Sequence, residues 1–122
     1  MTKPITEAEL SVMEALWAES PLTASAVTDR VADERGWSPQ TVKTLLSRLV
    51  EKGAVSHEKD GRRFLYAPII ARGDYAAGES RRLVDRLFGG KVTPLVAHLA
   101  EADSLSDEDV AEIEKLIREL KS

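Results

Sequence analysis

Cysteine is absent from the 122 residues. That removes disulfides, thiolate metal sites and cysteine nucleophiles together, and makes a reducing cytoplasm the expected compartment. No run approaches the roughly 18 apolar residues that a membrane-crossing helix needs. Met1-Thr2-Lys3-Pro4-Ile5 leads straight into a helix start, without the charged-then-apolar pattern of a signal peptide. Seven Gly and five Pro are too few for a collagen or low-complexity chain. The two histidines, His57 and His98, stand apart from any metal-ligand spacing. Neither a nucleophile elbow nor a phosphate-cradling glycine loop occurs. Asp103, Asp107, Glu108 and Asp109 lack the alternation and the turn glycine of a calcium loop. No catalytic residue, metal or cofactor is expected.

The net charge of −4 also argues against a polyanion partner until it is divided along the chain. Residues 1–37 carry three basic and seven acidic side chains. Residues 38–72 reverse this, with seven basic against three acidic, and residues 73–122 return to seven against eleven. A positive segment inside an acidic chain can guide a polyanion to one face while the rest repels it.

The length suits one domain, or a small domain with an assembly segment. Thr6-Glu7-Ala8-Glu9 is a capping box, and Leu10, Met13, Leu16 and Trp17 follow at helical spacing until Ser20-Pro21. Thr23 opens a shorter helix with Val27 and Val31 inward and Gly36 as its terminator. Ser38-Pro39 caps a third, running to Lys52 before Gly53, with Val42, Leu45, Leu46 and Leu49 on its buried side. The period then changes to 2. Val55, His57 and Lys59 alternate with Ser56 and Glu58, Asp60-Gly61 is a hairpin turn signal, and Arg62-Arg63-Phe64-Leu65-Tyr66 returns to Pro68. Phe64 and Tyr66 share one strand face, expected to pack against the helices; Trp17 and Trp37 are expected in the core or at helix junctions. Three helices and a tight hairpin form a winged helix-turn-helix pattern, predicted over residues 5–71.

Beyond it the chain reads as helical. Arg72 to Phe88 forms a helix stopped by Gly89-Gly90, a second begins at Thr93-Pro94, and a third is capped by Ser106. Val110, Ile113, Ile117 and Leu120 make a short heptad seam. With Leu83, Leu87, Leu95 and Leu99 they are the predicted contacts of a helical dimerisation region over residues 72–122. The fold class is therefore mainly α with a small β-hairpin wing.

The outer face of the third helix gathers Gln40, Thr41, Lys43, Thr44, Ser47 and Arg48, short hydroxyls mixed with long cations. Such a set suits a helix in a major groove, where hydroxyls reach phosphates or bases without crowding and Lys or Arg meets guanine acceptors. Alone it could equally be a solvated helix surface. The basic hairpin tip at Lys59, Arg62 and Arg63 follows where a wing would lie along the neighbouring backbone, and the two together make a connected positive surface.

The run Trp37-Ser38-Pro39-Gln40-Thr41-Val42-Lys43-Thr44-Leu45-Leu46-Ser47-Arg48-Leu49-Val50-Glu51-Lys52-Gly53 resembles the recognition helix of the penicillinase repressor family (BlaI/MecI type). Thr6-Glu7-Ala8-Glu9-Leu10, Val12-Met13, Leu16-Trp17, Gly61-Arg62-Arg63-Phe64-Leu65-Tyr66-Ala67-Pro68 and Leu87-Phe88-Gly89-Gly90 are similar to family features, in order and at family spacing. The resemblance implies a homodimeric repressor on an inverted-repeat, double-stranded DNA operator. Thr41, Lys43, Thr44 and Arg48 would face the operator, and Arg62 and Arg63 its backbone. It also implies a membrane-bound metalloprotease sensor of β-lactams that cuts the repressor in its dimerisation region. Where the family has an Asn-Phe scissile bond, this chain has His98-Leu99. A copper-responsive branch uses C-terminal cysteines, which this chain does not have. Two other readings stay open: a small-molecule-responsive winged-helix regulator, against which the aromatic-poor C-terminal region argues, and a protein-interaction module.

Overall fold

Residues 4–122 are described by a computed structural model. Residues 1–3, and with them most of the stretch read for a signal peptide, lie outside the described residues. Helix α1 (Glu7–Ala18) begins at the expected capping box. Thr6 Oγ1 accepts from the Glu9 amide at 3.1 Å, and Glu9 Oε1 accepts from the Thr6 amide at 2.8 Å. Thr23 caps α2 (Ala24–Arg35), which ends on Gly36 at φ 64°, the left-handed conformation that glycine adopts without steric cost.

Helix α3 (Pro39–Glu51) carries Pro39 in its first turn, where the missing N–H leaves no partner unsatisfied, and Ser38 Oγ accepts from the Thr41 amide at 3.2 Å. Replacing this cap with alanine is expected to cost about 1 kcal/mol. Urea melts of Ser38→Ala would read the loss as a lower midpoint; an unchanged midpoint would mean that Pro39 alone fixes the helix start.

Strands β1 (Val55–Asp60) and β2 (Arg63–Pro68) pair antiparallel, with Val55 opposite Pro68 and Asp60 opposite Arg63. This corrects the turn read from Asp60-Gly61. Asp60 is the last paired residue of β1, and the two-residue loop is Gly61-Arg62. Gly61 takes φ 66° at the first loop position, where a II′ turn places its glycine. Leu22, in the link between α1 and α2, exchanges backbone hydrogen bonds with Tyr66 at 3.0 and 2.8 Å. It thereby ties the hairpin to the helices, and no local sequence period signals such a pairing.

The core draws on all three helices and the base of the hairpin. Met13, Leu16, Val27, Leu46, Leu49 and Val55 are among its fully buried side chains. Trp17 and Trp37 are half-buried against it, and Trp17 Nε1 donates to the Ile70 carbonyl at 2.8 Å.

The chain divides into two compact units, one ending at Tyr75 and the other running from Ala76 to Ser122. Helix α4 (Arg72–Phe88) starts in the first and continues into the second. Its opening turn belongs to the winged-helix unit: Arg72 pairs with Glu14, and the Tyr75 ring lies 5.7 Å from that of Trp17. In the second unit, α4 is followed by α5 (Val92–Glu101) and α6 (Asp107–Lys121). Helix α5 begins at Val92, one residue before the predicted Thr93, so Pro94 still falls in the first turn, where no helical N–H bond is due. Ser106 and Asp109 close a second capping box at α6. Among the described residues no helix is long and apolar enough to cross a membrane.

Candidate nucleic-acid interface

Val42, Leu45, Leu46 and Leu49 lie along one side of α3 and are buried, so its other side must face solvent. Gln40, Thr41, Lys43, Thr44, Ser47 and Arg48 are all exposed there. Two of the hydroxyls have local partners: Thr44 Oγ1 donates to the Gln40 carbonyl at 3.0 Å, and Ser38 Oγ and Thr41 Oγ1 lie 3.1 Å apart. Lys43 and Arg48 have no ion-pair partner among the described residues.

The wing carries the remaining cations. Lys59, Arg62 and Arg63 are exposed, and Arg63 is held by Asp60 at 3.3 Å, an exposed pair of small energy. The structure brings part of both groups to one cleft. Lys43 and Ser47 of α3, Arg62 and Arg63 of the wing, and Phe64 and Tyr66 of β2 line about 550 Å³ together with Thr23, Ala24 and Ser25. The last three open α2. Thr23 Oγ1 already accepts from the Ala26 amide, while first-turn amides such as those of Ala24 and Ser25 have no intrahelical partner and favour anions. Sequence reasoning placed Thr23 at a helix start but did not associate that start with the cationic face. Gln40, Thr41, Thr44, Arg48 and Lys59 do not line this cleft.

The positive segment is less uniform than its charge count. Lys52, at the C-cap of α3, turns inward: its Nζ donates to the Pro4 carbonyl at 2.9 Å and pairs with Glu9. The side chains of Lys52 and Glu9 are only 13% and 1% exposed. Burial alone would raise the Glu9 carboxyl. The hydrogen bonds from Lys52 and from the Thr6 amide and side chain, with the Lys52 charge, outweigh it and hold the group below the ordinary glutamate value. Lys52 is therefore turned toward α1 and largely withdrawn from the outer face.

Phe64 departs from expectation. Tyr66 packs against the core, but Phe64, two residues along the same strand face, extends past the core's edge and is 42% exposed. Neither histidine gathers ligands. His57 meets Phe64 edge-on at 5.1 Å, and His98 lies 5.6 Å from Phe88. No group of three potential metal-ligating side chains occurs among the described residues.

Three helices, a paired hairpin and the exposed Lys43 and Arg48 of the third helix define a winged helix-turn-helix protein with a basic outer face. A sequence model of the penicillinase repressor family matches residues 5–119. A penicillinase repressor of Bacillus licheniformis is 36% identical over 118 residues, which cover 97% of this chain and 92% of that one. The solution structure of the DNA-binding domain of the repressor BlaI is similar with a TM-score of 0.55 and 42% identity, covering 62% of this chain and 94% of that one. A second solution structure, of the monomeric form of Bacillus licheniformis BlaI in complex with the blaP half-operator, is similar with a TM-score of 0.53 and 40% identity; it covers 62% of this chain and 92% of that one. The chain belongs to the penicillinase repressor family, a family of DNA-binding repressors and not of enzymes.

Proposed function

We propose that the chain acts in the cytoplasm as a homodimeric transcriptional repressor that holds an inverted-repeat operator with two winged-helix units. The observation that carries this reading is the two exposed cations of α3, Lys43 and Arg48, without ion-pair partners among the described residues, beside a wing that adds Lys59, Arg62 and the Asp60-paired Arg63. Gln40, Thr41, Thr44 and Ser47 would read or position bases and backbone, Lys43 and Arg48 would meet phosphates or guanines, and Lys59, Arg62 and Arg63 would follow the adjacent backbone.

Support for the dimer comes from the second unit. Neither α5 nor α6 buries a single residue. Leu83, Leu95 and Ile113 are half-buried, while Leu87, Leu99, Val110 and Ile117 are exposed and Leu120 is 85% exposed. So much open aliphatic surface on a small unit supports the reading that this unit associates with a second copy. By the family's logic the repressor guards a resistance-type operon and is released when a membrane-bound metalloprotease sensor cuts the C-terminal region. The matching bond, His98-Leu99, lies within α5, where the His98 carbonyl accepts from the Ala102 amide at 3.0 Å. Cleavage there would require α5 to open first.

The double variant Lys43→Ala/Arg48→Ala tests the DNA face. Operator affinity is expected to fall about 10- to 100-fold, and the slope of log affinity against log salt to flatten by about two. Melting should be unchanged, because neither side chain is buried. Unaltered operator binding in gel-shift titrations would place the interface elsewhere.

A further inference from the structure

Phe64 is one of only two phenylalanines in the chain, and it stands open to solvent between the recognition helix and the wing. It borders two hollows at once. One is the 550 Å³ cleft already described; the other, about 300 Å³, is lined by Ser47, Val50, Glu51, His57, Phe64 and Tyr66. The ring is thus a ridge between them, with Ser47 of α3 bordering both. Its orientation is supported: His57 meets it edge-on at 5.1 Å with 79° between planes, and Tyr66, anchored through Leu22, lies 6.5 Å away. Cations stand on one side of the ring, while the smaller hollow on the other has no Lys or Arg in its lining and includes Glu51. Lys43, Arg62 and Arg63 line the larger cleft, and Lys59 is the cross-strand partner of Phe64.

An aromatic ring held in place beside cations, with its surface left open, suits a polymer that alternates anionic and apolar groups. The DNA backbone is such a polymer: each phosphate is followed by a deoxyribose with apolar C–H faces. We propose that the Phe64 ring packs against a deoxyribose of the strand lying in this cleft, between the phosphates met by Lys43 and by Arg62. The proposal rests on the reading that the α3–wing face binds DNA. It adds a contact that is sequence-independent and, unlike those of the cations, releases no counterion.

The two kinds of contact separate by salt. Fluorescence anisotropy would follow the full chain on a duplex of about 30 base pairs of arbitrary sequence across a salt series. For Phe64→Ala the affinity is expected to fall about five- to tenfold at every salt concentration with the log–log slope unchanged. Phe64→Leu, which keeps apolar bulk, should stay within about twofold of the parent chain. Lys43→Ala should flatten the slope by about one. Thermal melts of each variant establish that the unit remains folded. If Lys43→Ala changes nothing, the DNA-face reading itself fails. If Lys43→Ala behaves as expected but Phe64→Ala binds like the parent, the sugar contact is refuted. A flatter slope in Phe64→Ala also overturns it, because the ring would then be only a prop that aims Arg62 and Arg63.

Discussion

Ending the chain after Tyr75 is expected to leave the winged-helix unit folded and to lower its affinity for a duplex with two half-sites by about 10² to 10⁴ at physiological salt. The fragment retains every residue of the core cluster, the Leu22–Tyr66 pairing, the Trp17 bond to Ile70 and the Trp17–Tyr75 contact. All of the proposed DNA contacts also remain. What is removed is the open aliphatic surface of α5 and α6, and with it the tether that makes the second half-site encounter intramolecular. One winged helix with a few phosphate contacts binds weakly at cellular salt, so the loss appears as avidity and not as altered recognition. On a single half-site, fragment and full chain should therefore differ little. Equal affinity on the double site would refute dimer-dependent repression.

The largest expected effect on stability falls on Lys52, a residue outside the DNA face. Lys52→Met leaves the Glu9 carboxylate buried with its Thr6 bonds but without its cation, while Oε2 already lacks a hydrogen-bond partner among the described residues. Removing one member of a buried pair costs about 3–5 kcal/mol, because the remaining charge is left without compensation. The double variant Glu9→Gln/Lys52→Met keeps a side chain able to complete the capping box and removes both charges, so it should recover much of the loss. A single variant as stable as the parent would show that the pair contributes nothing.

The same pair sets an acid limit. Since the folded state holds the Glu9 pKa below its unfolded value, the pair's stabilisation is complete above the unfolded value. It is lost as pH falls through the lower, folded one. Denaturant melts of the parent chain should weaken across that acidic window. The double variant should lack this component.

The local signals in the sequence translated closely into structure. Thr6 with Glu9, Gly36, Ser38-Pro39 and Ser106 each fixed a helix end through contacts made within four residues, and the 3.6-residue period of Val42, Leu45, Leu46 and Leu49 separated the two faces of α3. Contacts between distant residues were not legible. Glu9 and Lys52 are 43 positions apart, so a residue read only as a cap partner also anchors the recognition helix, and a cation counted toward the outer field is turned inward. Leu22 bonds to Tyr66 across a similar gap. Alternation placed Phe64 and Tyr66 on one face, but it carries no information about where the core beneath that face ends. The turn slipped by one residue for a related reason: Asp60-Gly61 and Gly61-Arg62 both satisfy a glycine-containing hairpin, and only the cross-strand register decides between them.

Hydroxyl-radical footprinting of the full chain on the DNA upstream of its own gene tests the central claim most directly. Two protected stretches related by a dyad are predicted, their centres about one helical turn or a multiple of it apart, and both should weaken together in Lys43→Ala/Arg48→Ala. Protection confined to one unpaired stretch, or a footprint unaffected by that double change, would contradict it.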